Sequence, residues 1–233
     1  MRPTMSPEPV APEVLHRDKW VLVINKPSGL LTHRGWANDR VTALSVARDF
    51  AGRHVHAVHR LDRATSGALL FALDPESAAV LRAELDAGGF EKRYLALVRG
   101  VIADAVEVDH PLASEPGEER KPARTSVRPL ACFERYSLVE ATPHTGRTHQ
   151  IRRHLKHLSH PVIGDTRYGS GEHNRAFRER FGLHRLALHA ARLAFTHPSS
   201  AARIDLRAPL TADLAEPLQA MGLLEQAATA VLG

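Results

Sequence analysis

The run His59-Arg60-Leu61-Asp62-Arg63-Ala64-Thr65-Ser66-Gly67 sets one carboxylate between two arginines in a segment of turn-like composition. Val55 to Leu61 alternates well enough for a strand, and Ala68 to Leu73 forms a second short apolar run. Asp62 is therefore expected at a loop mouth between two buried segments, where proteins present reactive groups. Positive charge beside a carboxylate favours its charged form, which suits a nucleophile or a base better than a general acid. A surface ion pair capping a turn has the same local composition, so Asp62 taken alone does not separate the two readings.

The elements that must position Asp62 follow from the apolar pattern. Trp20 to Asn25 reads as a strand ending at Pro27-Ser28-Gly29, and Val41 to Phe50 as a short helix stopped by Gly52. Asp74-Pro75 supplies an N-cap and a first-turn proline for a helix through Leu85, with Gly88-Gly89 ending it. Lys92 to Val101 is β-rich, Ser114 to Pro122 is a charged exposed loop, and Phe133 to Ala141, Leu186 to Phe195 and Arg203 to Arg207 read as further strands. The stretch from Ala208 carries three acids and no base. This order is neither strict strand–helix alternation nor all strand, so the expected class is α+β with mostly antiparallel pairing.

The segment after Arg147 has helical periodicity. Ile151, Leu155 and Leu158 form an apolar stripe, with His149, Arg152, Arg153, Lys156 and His157 on the other side, facing solvent or phosphate. Thr148 is the expected N-cap, which would place the helix's positive dipole end beside Arg147.

At 233 residues the chain is long enough for one large domain, expected over 13–233 with a tail over 1–12. Lys and Arg total 31 against 26 Asp and Glu, a net charge of +5. The segment from Arg147 to Arg185 alone carries +6, so the positive field is concentrated as a nucleic-acid footprint should be. Cys132 stands alone, which excludes an intramolecular disulfide and a zinc cluster built on cysteines. No signal peptide or membrane-length apolar run is present, so a cytoplasmic protein without membrane association is expected. His149, His154, His157 and His160 lack the spacing of a zinc hydrolase, and no phosphate loop or dinucleotide fingerprint occurs. No metal and no cofactor are expected.

Four motifs occur in order: Val23-Ile24-Asn25-Lys26-Pro27-Ser28-Gly29-Leu30, the Asp62 segment, Lys92-Arg93-Tyr94-Leu95-Ala96-Leu97-Val98-Arg99-Gly100, and Gly146-Arg147-Thr148-His149-Gln150-Ile151-Arg152-Arg153. Together they resemble the signature of the RluA-type pseudouridine synthases. Gly164 to Gly169, Glu172 to Arg175, Phe181 to Ala190 and His33-Arg34-Gly35-Trp36 are similar to a tRNA-directed branch of that family, whereas Ser114 to Thr125 is shorter and differently composed. The resemblance implies a single catalytic domain built on a long mixed, mainly antiparallel sheet with a central cleft and without the accessory S4 RNA-binding domain. It implies an isomerase acting as a monomer on RNA, tRNA before ribosomal RNA, in the acceptor and T-stem region. Asp62 would be the nucleophile or the base, Tyr94 would stack beneath the uracil, and Arg147 would pair with Asp62. Arg60, Arg63, Lys26, His149, Gln150, Arg152 and Arg153 are the candidate RNA contacts, with Arg60 filling the space left by an extruded base.

Two other classes compete. A catalytically silent RNA-binding protein would need the basic face but has no use for Asp62. A glycosidase would pair two acids; Asp74 and Asp165 read instead as a helix cap and a loop residue, leaving no clear second acid.

Overall fold

The structure is a computed structural model that describes residues 12–34, 41–114 and 117–232. Gly35, Trp36 and all but the last residue of the expected 1–12 tail lie outside the described residues. In chain order the elements are β1 (Glu13–Arg17), β2 (Val21–Lys26), α1 (Ala43–Ala51), β3 (His56–Ala57), β4 (Ser66–Ala72), α2 (Pro75–Asp86), β5 (Glu91–Arg99) and β6 (Val106–Asp109). They continue as β7 (Arg124–Phe133), β8 (Tyr136–Pro143), α3 (Gln150–His157), α4 (Gly171–Phe181), β9 (Leu188–Thr196), β10 (Arg203–Arg207), α5 (Ala212–Ala220) and α6 (Leu224–Leu232).

Among the described residues all ten strands join one sheet in the order β1-β2-β4-β9-β5-β8-β7-β6, with β3 on β4 and β10 on β9. The β4–β9 pairing, Ser66 opposite His189 and Gly67 opposite Ala190, is the one parallel seam, and the other pairings are antiparallel. The α+β class with a mixed, mainly antiparallel sheet is the class expected from the sequence. Among the described residues no helix is long and apolar enough to cross a membrane.

The unbroken apolar runs of β2 and β4 are explained by cover on both faces. Val21, Val23, Ala68 and Leu70 pack with Ala78 and Leu81 of α2, while Leu22, Ile24, Leu69 and Phe71 pack with Ala43 and Ala47 of α1. A third cluster surrounds Leu95, Leu97, Leu138 and Val139 and takes in Leu155 of α3 and Leu214 and Leu218 of α5. The caps are as the sequence indicates: Asp74 accepts from Ser77 N, and Gly52 closes α1 at φ 67°.

Three element expectations are corrected. Val55 to Leu61 contributes only His56–Ala57 to the sheet, because the chain then leaves it to form the Asp62 loop. Phe133 to Ala141 is not one strand throughout: Phe133 ends β7, the chain reverses at Glu134 with φ 50°, and the expected strand begins at Tyr136 as β8. The acidic stretch after Ala208 forms α5 and α6, whose apolar side packs on the third cluster.

Candidate active site

The loop carrying Asp62 leads from β3 into β4 and is fixed from outside itself. Lys26, fully buried, directs Nζ to the carbonyls of Pro27 (2.9 Å), Leu30 (2.8 Å) and Arg63 (3.3 Å). Ser28 Oγ donates to Ala64 O, Thr32 Oγ1 donates to Leu61 O, and Leu61 N donates back to Thr32 Oγ1. Thr65 N closes the turn on Asp62 O at 3.0 Å. The Asn-Lys-Pro-x-Gly segment is therefore the cradle of the Asp62 loop. Lys26 cannot contact RNA as expected from the sequence, since its ammonium is spent on three backbone carbonyls. Burial and the nearby Arg185 pull its pKa down to about 7, against the opposing pull of Asp62.

The arginine on Asp62 is Arg152, not Arg147. Arg152 Nη1 donates to Asp62 Oδ2 at 2.9 Å, while its Nε and Nη2 grip Asp165 Oδ2 and Oδ1 at 2.7 and 2.9 Å. Arg147 turns away and donates Nε to Pro122 O at 3.1 Å. The cause is local. Gln150, 5% exposed, accepts from Thr145 Oγ1 and Arg147 N and donates to Arg124 O and Thr125 Oγ1. These bonds hold the 145–147 turn against β7 and delay the helix start to Gln150. The N-cap position falls to His149, in the left-handed conformation at φ 53°, rather than to Thr148. Arg152 thus lies in the first turn of α3 with only 8% of its surface exposed and its guanidinium on the two carboxylates, and Gln150 ties the preceding turn to β7.

Asp165 belongs to the loop anticipated for it, but it is also the second carboxylate that sequence reasoning missed. Its side chain is wholly buried, and Oδ1 also accepts from the backbone N–H of Arg167 and Tyr168. Burial pushes its pKa up, yet Arg152 and those amides hold it below the usual carboxylate range. With both oxygens committed it cannot serve as a second acid toward a substrate. On Arg152 burial disfavours the charge, but the two carboxylates win and raise its pKa.

His149 closes the far side. Its Nδ1 lies 3.0 Å from the Tyr168 hydroxyl and its Nε2 3.7 Å from Asp62 Oδ1. A hydroxyl donating to Nδ1 puts Nε2–H toward the carboxylate, whereas the other tautomer would oppose a lone pair to it. Burial lowers the His149 pKa, Asp62 opposes this, and Arg152 and Arg167 reinforce it, so the ring is favoured neutral. Tyr94, on β5 between β8 and β9, is held firmly as the protonated phenol by burial and by Asp62.

Asp62, Tyr94, His149 and Arg152 meet in a cleft of about 750 Å³ across the middle of the sheet, which Arg60, Lys92 and Arg147 also line. Its volume suits a small organic ligand or one nucleotide. Arg60 and Arg63 are exposed, with Arg63 Nε on Gly29 O; Arg153 is partly buried and donates to Ala113 O. Lys92 was not anticipated from the sequence. It is partly buried at the cleft, where burial lowers its pKa.

The chain matches the family model described as RNA pseudouridylate synthase over residues 20–157. It is 43% identical over 221 residues to tRNA pseudouridine synthase C of Haemophilus ducreyi, covering 85% of this chain and 90% of the relative. The protein of the same name from Vibrio cholerae is 41% identical, with 85% and 91% covered. Among solved structures, Human RNA Pseudouridylate Synthase Domain Containing 1 superposes with a TM-score of 0.76 at 26% identity, covering 98% of each chain. Human RNA Pseudouridylate Synthase Domain Containing 4 gives 0.75 at 25% identity, covering 90% of this chain and 93% of its own.

Proposed function

The chain belongs to the RNA pseudouridylate synthase family and is an RNA pseudouridine synthase, an isomerase; on that footing we propose that its substrate is tRNA and that Asp62 carries the reaction. The observation that supports the role of Asp62 is its division of labour. Oδ2 is engaged by Arg152 at 2.9 Å, while Oδ1, with the His149 ring 3.7 Å away, is left for the substrate.

Isomerisation breaks the N1–C1′ bond, rotates the uracil and forms C5–C1′; C5 loses a proton and N1 gains one, so atoms balance without redox change or hydrolysis. Asp62 either attacks the substrate covalently or removes the C2′ proton to give a glycal, and Arg152 steadies the carboxylate on either path. Tyr94 serves as a stacking face beneath the uracil; a phenol held so firmly protonated is a poor acceptor for the C5 proton. Because the cleft is recessed, the target nucleotide must leave its stack to enter. Arg60, Arg63 and Arg147 are the arginines placed to meet the RNA around it.

The tRNA assignment rests on the relatives named tRNA pseudouridine synthase C, which match over most of both chains. Deleting the gene and mapping pseudouridines by carbodiimide-dependent reverse-transcription stops tests it. Loss of a stop in the acceptor and T-stem region of tRNA is expected. Loss confined to ribosomal RNA would overturn the tRNA reading while leaving the enzyme class intact.

A further inference from the structure

A second hollow, of about 260 Å³, lies on the outer side of α3, bounded by His110–Leu112, Arg120, Arg153, Lys156, His157 and Tyr168. At its wall the rings of His110 and His157 stack face to face, centroids 4.0 Å apart and planes 17° from parallel. The wall is built rather than incidental. His154, fully buried beneath it, donates Nε2–H to His110 O at 3.0 Å and accepts at Nδ1 from Thr125 Oγ1 at 2.9 Å, so the His110 turn is tied to α3. Arg153 ties the following turn through Ala113 O. The charged groups acting on His110 are His157, Arg120 and Arg153, all basic; with burial they lower its pKa. The acids nearby in sequence, Asp109, Glu118 and Glu119, have exposed side chains, Asp109 opposite Arg124 and the two glutamates on the loop that carries Arg120.

We infer that this hollow binds one phosphodiester of the substrate RNA, with Arg120, Lys156 and the His110–His157 pair as its ligands, and that His110 takes up a proton as the phosphate enters. Two observations select RNA as the occupant. Among the described residues the lining presents cations and no carboxylate, and Tyr168 is a wall of this hollow while its hydroxyl bonds His149 at 3.0 Å in the cleft. A strand whose uridine sits against Asp62 passes over Tyr168 to reach the hollow. The cations that, with burial, oppose protonation of His110 in the free protein are neutralised by a bound phosphate, so the bound state holds the proton more tightly. Affinity must then rise as pH falls through the imidazole range.

The inference rests on the substrate being RNA, though not on its being tRNA, so the test uses whichever RNA the mapping experiment identifies, already converted so that no turnover intervenes. Dissociation constants are measured for the full chain at about pH 6 and about pH 8, across the His range. The wild type should bind several-fold tighter at the lower pH. His110→Asn should lose most of that gain, with a smaller loss of affinity at the higher pH. Lys156→Ala should weaken binding at both pH values and reduce the salt slope by about 1, with the pH dependence kept. A His110→Asn protein with the wild-type pH dependence, or a wild type with none, would overturn the inference alone. Finding no RNA whose pseudouridine depends on the gene would overturn the substrate reading with it.

Discussion

Arg152 is wedged between Asp62 and Asp165, with each of the three nitrogens of its guanidinium donating to a carboxylate. Removing it strands two carboxylates, one of them wholly buried, so Arg152→Ala should cost roughly 3–5 kcal/mol of stability and abolish turnover. Arg152→Lys should recover little, because a point charge cannot serve two carboxylates at fixed angles. Arg147→Ala should melt within about a degree of wild type, as expected for a partly exposed side chain with one backbone bond, and should show its loss in KM. Thermal melts and initial rates on all three separate the two arginines. Motif resemblance pointed to Arg147 because both arginines lie within one run of the sequence, five positions apart. What decides between them is the Gln150 network, which depends on Arg124 and Thr125 of β7 and is invisible along the chain. Lys26 illustrates the same limit: its residue type indicates a cation, but only the fold shows three carbonyls around it. Lys26→Met should leave those carbonyls without their donor, lowering kcat and stability while RNA affinity stays near wild type; a pure loss of affinity would restore Lys26 as an RNA contact.

At the scale of elements, the seam where β4 runs parallel to β9 holds the site together. Gly67 sits there at φ +114°, and a Cβ would run into the Ala190 backbone, so Gly67→Ala should disrupt the seam and the adjoining Asp62 loop, read as a loss of soluble, cooperatively melting protein. Across the same seam His189 is buried, with Nδ1 2.7 Å from Ser66 Oγ and Nε2–H on Ala208 O at 2.9 Å. Burial, helped by Arg185 against the Ala208 bond, lowers its pKa to about 4 from 6.5. The unfolded chain therefore takes up this proton first. Stability should be intact above pH 6.5 and fall by roughly 3 kcal/mol as pH drops toward 4. Urea midpoints against pH should show this slope, and His189→Gln should flatten it; an unchanged slope would mean other groups carry it. The seam's apolar strands were legible because doubly covered strands read as continuous apolar runs. α5 and α6 were not, since Pro217 interrupts the pattern and their packing partners lie far away in sequence.

For the molecule as a whole, the concentration of positive charge between Arg147 and Arg185 was readable, but its use was not. Part of it is internal: Arg152 serves Asp62 and Asp165, and Arg185, 9% exposed, serves Ser66, Asp213 and backbone carbonyls. The remaining surface cations should still make RNA affinity fall steeply with salt through counterion release, but with a slope smaller than the count of basic residues suggests. The carboxylate of Asp62 performs the isomerisation in the mechanism we propose. That role is tested most directly by assaying Asp62→Asn for tritium release from C5-labelled RNA, alongside filter binding and a thermal melt of the same protein. No detectable release is expected, with RNA affinity within a few-fold of wild type, since the amide keeps the side chain's shape but not its reactivity. Release at a rate near wild type would contradict it.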